Sequence, residues 1–184
     1  MPVQAPRHLF TVREFDGMVR SGVFHEDDRV ELLAGEVIEM TPIGSPHAGC
    51  VNALTNRLTA QLGSKAIVSV QNPVVLDDYS EPQPDLLVLQ PRADFYRSAH
   101  PRPADVWLLI EVSDSSVEFD RRDKLPHYAR SGIREVWIVD LAGSCVDRFE
   151  YPSPDGYRET ARFVPGERVT SPFLTVDVAV SDLL

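Results

Sequence analysis

The segments Pro84-Asp85-Leu-Leu-Val-Leu, Trp107-Leu-Leu-Ile-Glu111-Val-Ser113 and Phe119-Asp-Arg-Arg-Asp-Lys124 decide how this chain folds. The first two segments are apolar runs that predict buried strands, and each of them carries one acid. The third segment has a charge pattern that is typical of a helix. Because a carboxylate inside an apolar strand is costly unless its charge is offset, these acids are the first candidates for a functional site.

The two strand acids are predicted to converge on one spot. Glu111 and Ser113 lie two residues apart and therefore share one face of a strand, and Asp85 begins its own strand. If these strands are neighbours, the two carboxylates offer hard oxygen ligands of the kind that bind Mg²⁺ or Mn²⁺. The alternative interpretation is structural: Asp85 caps a turn after Pro84, and Glu111 pairs with an arginine.

The helix that follows contributes a second candidate group. Asp120, Lys124 and Tyr128 are spaced four residues apart and share one helix face. A lysine in that place could orient a nucleophilic water or bind a developing oxyanion. The alternative is a surface pair of Asp120 and Lys124, with Tyr128 packed at the edge of the core.

Length and composition place the chain among ordinary globular proteins. Its 184 residues suit one domain, of which 43% of the residues are hydrophobic and 25% charged. Cys50 and Cys145 have no CxxC spacing, which excludes a cysteine-built zinc site and suits a reducing compartment. No signal-peptide core and no apolar run of about 20 residues is present, so we expect a cytoplasmic protein with no membrane span.

The net charge of -10 argues against strong non-specific affinity for nucleic acid. It does not exclude a metal-dependent nuclease, because the acidic site of such an enzyme is partly neutralised by its cation. A basic face could still exist locally. Two clusters qualify: Arg92, Arg97, His100 and Arg102, and Arg121, Arg122, Lys124, His127 and Arg130.

The remaining patterns predict an α/β or α+β domain around a mixed central sheet flanked by helices, with extra β-hairpins. The predicted elements are a helix from Thr11 to Gly22, a hairpin at 30–40, a helix at 47–62 capped by Ser45, strands at 66–70, 74–76, 85–89, 106–112 and 135–139, a surface loop at 91–105, a helix that is capped within 113–116 and reaches Ser131, and hairpin strands at 146–151 and 157–163 followed by a tail at 174–180. Pro126 inside the last helix predicts a kink or a late helix start.

Several motifs in this order resemble a known family. They are Glu31-Leu-Leu-Ala-Gly35-Glu36, His47 at a helix start, Pro84-Asp85, Glu111-Val-Ser113, Asp120…Lys124-Leu-Pro, and Tyr128-Ala-Arg-Ser-Gly132 followed by Glu135-Val-Trp137 and Asp140. Over roughly residues 10–150 they resemble the Uma-two family of the PD-(D/E)XK nuclease superfamily, a restriction-endonuclease-like group long labelled a domain of unknown function. The hairpins of 146–184 form a C-terminal extension of the single domain 1–184.

The resemblance implies a metal-dependent endonuclease that acts on DNA, with Asp85, Glu111 and Lys124 as catalytic residues. Asp85, Glu111, the carbonyl of Val112 and Glu31 would hold Mg²⁺ or Mn²⁺, while His47 and Ser113 could contact phosphate or metal. The chain departs from the family signature at Ser113, which stands where the superfamily has a lysine. Lys124 is the natural substitute. The resemblance also implies a homodimer.

Other roles stay open for several of these residues. His47 could be a helix-start residue satisfied by the backbone, and Glu36 is expected to be a solvated strand acid. Glu135 and Tyr128 are expected to be structural, with both tryptophans in the core. The alternative to an active nuclease is a catalytically weak protein of the same fold that binds nucleic acid or a protein partner. A hydrolase acting on a smaller phosphate ester is a third hypothesis.

Overall fold

The computed structural model describes residues 7–25 and 27–184, whose elements follow the predicted order. The helices are α1 (Val12–Arg20), α2 (Ser45–Leu62), α3 (Val117–Phe119) and α4 (Leu125–Ser131), with a π-helical turn (Asp120–Lys124) between the last two. The strands are β1 (Val30–Leu33), β2 (Glu36–Glu39), β3 (Ile67–Val70), β4 (Leu86–Leu89), β5 (Val106–Ser113), β6 (Glu135–Asp140), β7 (Cys145–Ser153), β8 (Gly156–Phe163), β9 (Arg168–Thr170) and β10 (Asp177–Ala179).

A six-stranded mixed sheet in the order β3-β4-β5-β6-β7-β8 forms the centre of the fold. Its strands are antiparallel except for β5 and β6, which run parallel and are joined by the helical run of residues 117–131. The register pairs Leu86 of β4 with Ile110 of β5. Asp85 therefore lies beside Glu111, as the sequence predicts for neighbouring strands.

Alternate side chains of the central strands supply two apolar cores, one on each face of the sheet. On one face Ile110, Val112 and Trp137 pack with α2 and the C-terminal segment. On the other face Leu109 and Ile138 pack with α4. Since Glu111 alternates with Ile110 and Val112, its side chain lies on the α4 face of the sheet.

The hairpin of β1 and β2 turns where the sequence predicts. Ala34 and Gly35 both have positive φ, 53° and 79°, which is the conformation of a two-residue hairpin turn. A Cβ atom at Gly35 would lie 2.6 Å from the Cβ of Leu9, so only glycine fits against the N-terminal segment. The turn therefore packs on the N-terminal segment, while β1 bridges through Leu32 to Glu81.

The run of residues 117–131 is continuous but contains one wide turn, located just before Pro126. Proline lacks the N–H that an α-helix needs and its ring clashes with the carbonyl four residues earlier, so the helix widens there. The kink that the sequence predicts at Pro126 is thus absorbed by the π-helical turn. Gly132 ends the run with φ 84°, as a left-handed C-cap.

Two expectations from the sequence are wrong in detail. Residues 74–76 form no strand, because the N–H groups of Val74 and Leu76 bond to loop carbonyls instead of a neighbouring strand. Ser45 does not cap α2; Gly44 is the N-cap and no side chain caps that end. The hairpin of β7 and β8 extends the central sheet at its β6 side.

Within the described residues, none of the helices combines the length and the apolar character that crossing a membrane requires. The two cysteines, Cys50 and Cys145, are both buried and free. Trp137 is completely buried in the core, as predicted, and Trp107 packs against the same core from a partly buried position. Among the described residues, the exposed carboxylate of Glu36 pairs only with exposed Arg7, so its predicted solvated character is confirmed.

Candidate active site

The predicted acids line one pocket at the ends of β4 and β5, with a volume of about 360 Å³. Its walls come from the β1–β2 hairpin, the segment leading into α2, the end of β5 and the helical run. The lining residues that carry charge or bind polar groups are Arg29, Glu31, Glu39, His47, Gln83, Asp85, Glu111, Asp114, Asp120 and Lys124. Elements distant in sequence thus meet at one place.

Asp85 is held rigidly at the start of β4. Its Oδ2 atom accepts hydrogen bonds from the Val112 backbone N–H at 2.9 Å and from Nε2 of His47 at 3.1 Å. Its Oδ1 atom accepts a bond from the side-chain amide of Gln71 at 3.2 Å. The interpretation of Asp85 as a simple turn cap is therefore wrong, because its carboxylate joins β4, β5 and the start of α2.

Glu111 lies deeper and meets the helical run. Its Oε1 atom accepts hydrogen bonds from Tyr128 Oη at 2.6 Å and from Lys124 Nζ at 3.2 Å. The alternative in which Glu111 pairs with an arginine is wrong. The spacing of four residues between Lys124 and Tyr128 explains the arrangement, since both side chains leave the same helix face.

Lys124 joins the two glutamates of the pocket. Its Nζ atom lies 3.1 Å from Oε1 of Glu31 as well as 3.2 Å from Oε1 of Glu111. The lysine side chain is 6% exposed, so the alternative of a surface pair is wrong. Glu31 Oε2 also accepts the backbone N–H of Gln83, which ties β1 to the segment before β4.

Burial and the nearby acids shift the pKa values of Glu111 and Lys124. Desolvation raises the pKa of Glu111 to about 8, against the opposing charge of Lys124 and with help from nearby Asp120 and Asp85. Desolvation alone would lower the pKa of Lys124, but the carboxylates of Glu111 and Glu31 outweigh it and raise that pKa. Lys124 therefore keeps its charge at neutral pH, and burial favours the protonated form of Glu111 more than it would at the surface.

His47 faces Asp85 from the first turn of α2. The hydrogen bond to Asp85 is the main reason that the pKa of His47 is raised. Its Nδ1 atom is buried and has no hydrogen-bond partner among the described residues. The ring thus orients Asp85 through Nε2, which argues against the interpretation of His47 as a helix-start residue satisfied by the backbone.

Ser113 and Val112 occupy different surroundings although they are adjacent. Ser113 is completely buried and does not line the pocket; its Oγ atom donates to Oδ2 of Asp120 at 2.7 Å. Ser116 donates to the same oxygen, so Asp120 anchors the start of the helical run on β5. Val112 does line the pocket, and its N–H is used by Asp85.

The pocket chemistry suits a divalent cation. Six carboxylates and two basic side chains line it, which leaves a formal charge of -4 when His47 is neutral. Among residues 7–25 and 27–184, no three His, Cys, Asp or Glu side chains form a ready metal cluster. Mg²⁺ does not need one, because it commonly binds through one or two carboxylates and completes its shell with water and substrate phosphate. Asp85 and Glu111 fit that pattern.

One group near the site was not predicted from the sequence. Arg121, on the π-helical turn, donates to Asp140 Oδ2 at 3.1 Å and to Asp147 Oδ2 at 2.6 Å. Arg162 of β8 also bonds to Asp147. This network fastens the turn that carries Lys124 to β6 and β7, and the only sequence signal for it is the acid that ends β6, Asp140.

Comparison with known proteins agrees with the fold and the motifs. The search of curated proteins found no match. A crystal structure of a protein from Anabaena variabilis ATCC 29413, described as "a putative nuclease belonging to DUF820", superposes with a TM-score of 0.74 at 17% sequence identity, covering 95% of this chain and 97% of that one. This confirms the predicted fold class, a mixed central sheet in a nuclease fold.

A sequence model of one family matches residues 12–181, which includes the C-terminal strands beyond the motifs identified above. That family is Uma2, the Uma-two group of the sequence analysis, and its description reads "Putative restriction endonuclease". The chain belongs to the Uma2 family.

Proposed function

We propose that this protein is a metal-dependent endonuclease that hydrolyses DNA phosphodiester bonds. The observation that supports this most is the convergence of Asp85, Glu111 and Lys124 in one pocket, with Lys124 Nζ 3.2 Å from Glu111. The family and the structural neighbour, both described as nucleases, support the same reaction class. Because the fold does not fix the chemistry, the proposal depends on the pocket.

Asp85 and Glu111 would hold Mg²⁺ or Mn²⁺, with the Val112 carbonyl and Glu31 as further oxygen donors. A bound cation of this kind supplies Lewis-acid stabilisation of the charge that builds up on the phosphoryl group. It would also replace the proton that burial favours on Glu111. The crowding of six acids in the lining favours a cation over an empty pocket.

The side chains of the chain itself position the reaction. Lys124 keeps its proton, so it serves as a cationic donor that orients the attacking water or binds a phosphate oxygen, and not as a general base. The water oxygen forms a bond to phosphorus and gives up a proton to solvent, one P–O ester bond breaks, and the departing oxygen takes up a proton from solvent. Tyr128 fixes Glu111, and His47 fixes Asp85.

A catalytically weak protein of the same fold is the second candidate. Ser113, buried on β5 where the superfamily signature has a lysine, is the observation that favours it. In that case the pocket would still bind nucleic acid or a protein partner. We also propose that the protein is cytoplasmic, as its sequence predicts, and that it works as a homodimer, an expectation that rests on the resemblance to dimeric nucleases.

Plasmid cleavage in Mg²⁺ or Mn²⁺ separates the two candidates. The wild type is expected to nick or linearise the plasmid, and Asp85→Asn and Glu111→Gln are expected to lose at least about 100-fold in rate because each removes a charged oxygen ligand. Glu81→Gln is the matched control: Glu81 is a buried carboxyl outside the pocket, and burial raises its pKa to about 7. If the wild type and all variants leave DNA intact in both metals, the nuclease proposal is lost.

A further inference from the structure

The depth of the pocket limits which form of DNA can reach its acids. Glu111 is 4% exposed and Asp85 is 8% exposed, so both lie at the bottom of the cavity. A volume of about 360 Å³ is near the lower end of the range, about 300–1,000 Å³, of pockets that enclose one small ligand. A cavity of this volume has room for about one nucleotide and not for a duplex. A phosphodiester bond reaches these acids only if its strand bends away from a partner strand.

One wall of the pocket is apolar although the bottom is charged. Ile38, Met40, Pro42 and Ile43 line it from β2 and the segment after it, and Phe119 adds an aromatic ring from α3. Ile43 is 40% exposed, so this wall is open to a ligand. Unstacked bases pack on apolar and aromatic side chains, and each base gains about 1–3 kcal/mol from an aromatic platform.

The charge around the pocket does not suit duplex DNA. Of the basic cluster at 121–130, Arg121 is held by Asp140 and Asp147, and Lys124 is buried against Glu31 and Glu111. Arg29 is the other basic side chain of the lining. Tight binding of a duplex draws on several free lysines and arginines that neutralise phosphates, whereas a single strand has a lower charge density and can gain affinity by stacking.

We propose that the pocket takes an unpaired DNA strand, with one extruded base against the apolar wall of Ile43 and Phe119 and the adjacent phosphodiester at Asp85 and Glu111. The inference rests on the proposed nuclease function and names its substrate class. Duplex regions are then cut only where they open, at bulges, flaps or ends. The apolar wall determines specificity, and the charged bottom performs the reaction.

Single-turnover cleavage in Mn²⁺ tests this with one labelled oligonucleotide in three forms: single-stranded, fully paired, and paired except for a central bulge. The single strand is expected to be cut at least about tenfold faster than the duplex, and the bulged duplex only at the bulge. Equal or faster cleavage of the full duplex overturns the inference but leaves the nuclease proposal standing. Efficient cleavage of a small chromogenic ester of thymidine monophosphate would also overturn it, in favour of small substrates.

Variants of the wall provide the matched comparison. Phe119→Leu and Ile43→Ser are expected to lower the preference for the single strand about tenfold. Phe95→Leu and Val164→Ser change exposed apolar side chains outside the pocket and are expected to leave the preference unchanged. If the wall variants behave like these controls, the base does not pack there and the inference fails.

A binding measurement keeps the test independent of catalysis. Fluorescence anisotropy of the labelled single strand and duplex with metal-free Glu111→Gln compares affinities without any cleavage. The single strand is expected to bind more tightly, and Phe119→Leu in the same background is expected to remove the difference. If nothing is cleaved in either metal but this preference holds, the nuclease proposal fails and the inferred ligand class stands. If the duplex binds as well as the single strand, the inferred ligand class fails.

Discussion

At the residue scale, local sequence patterns predicted several of the residues that line the candidate site. Two acids in neighbouring apolar strands and a lysine at helical spacing from a tyrosine are patterns that can be read within a few residues. The structure brings Asp85, Glu111 and Lys124 together with Glu31 and His47 around one pocket. Their catalytic and metal-binding roles stay predictions until they are measured.

The sequence did not indicate which carboxylate binds which donor. Lys124 bonds to Glu111 and also to Glu31, which lies 93 residues earlier in the chain (124 − 31), and such a separation leaves no periodic signal. Ser113 was expected to contact phosphate or metal, but it is turned to Asp120 inside the fold. A serine on the functional face of a strand therefore need not reach the pocket.

A second buried acid lies away from the pocket and makes stability depend on pH. Glu135 is completely buried, with Oε1 accepting the indole N–H of Trp137 at 2.7 Å and Oε2 accepting the hydroxyl of Ser171. These bonds confirm the structural role predicted for Glu135. Desolvation nevertheless raises its pKa to about 7, with the charge of Glu150 adding to the rise.

We predict that Glu135→Gln stabilises the protein at pH 8 and changes little at pH 5. Folded Glu135 keeps its proton up to about pH 7, whereas the unfolded carboxyl loses it near 4.5, so the wild type loses free energy of unfolding as pH rises between these values. The variant lacks this contribution, on the order of 2 kcal/mol by pH 8. Urea unfolding at the two pH values measures the difference; equal changes at both would show that Glu135 has an ordinary pKa.

At the element scale, the strands and helices follow from hydrophobic pattern and turn chemistry. The buried runs of β5 and β6, the Ala-Gly hairpin turn and the Gly132 cap are all local features, and the structure has them where predicted. The short segment 74–76 has the composition of a strand but no partner strand to bond, so it forms none. Whether a segment finds a partner strand depends on the tertiary fold, and composition does not predict that.

The π-helical turn is the element that delivers Lys124 to the pocket. Pro126 makes the wide turn favourable, and Arg121 on the same turn is tied to Asp140 and Asp147 on β6 and β7. Neither contact is local in sequence. The position of Lys124 thus depends on the π-helical turn. Pro126 favours this turn, and the ion pairs of Arg121 hold it against the sheet.

We predict that Arg121→Met lowers the cleavage rate about tenfold, because the turn carrying Lys124 loses its attachment to the sheet. It also removes a partner from two largely buried carboxylates, so the free energy of unfolding should fall by about 1–3 kcal/mol. Arg162→Met is the control, since Arg162 bonds to Asp147 but lies on β8 and is 59% exposed. If both variants retain wild-type rates under identical conditions, the network supports the fold alone.

At the scale of the whole molecule, the fold class could be predicted because strand and helix order restrict the possible topologies. The pairing of the C-terminal hairpin with the central sheet could not be predicted from the sequence. Its alternating pattern fits an independent hairpin as well as an extension of the sheet, and only pairing of β6 with β7 decides between them. With β7 and β8 inside the sheet, β8 becomes one of its edges.

The negative net charge of the whole chain agrees with the acidic lining of the pocket. A chain with a net charge of -10 attracts cations, which agrees with the proposed metal site, and it repels an open strand less than a duplex because a single strand has the lower charge density. We propose that Lys124, from the helical run, takes the place of the lysine that the superfamily signature puts on a strand. The central claim is that this lysine makes the pocket an active nuclease.

The most direct test is the single-turnover rate of DNA cleavage in Mn²⁺ for the wild type, Lys124→Gln and Lys124→Arg. Glutamine keeps a hydrogen-bond donor beside Glu31 and Glu111 without the charge, and thermal unfolding checks that each variant is folded. The account predicts that the wild type cleaves, that Lys124→Gln loses about 10²–10³-fold, and that Lys124→Arg retains more of the rate than Lys124→Gln. Cleavage by Lys124→Gln within about twofold of the wild type, or none by the wild type, would contradict it.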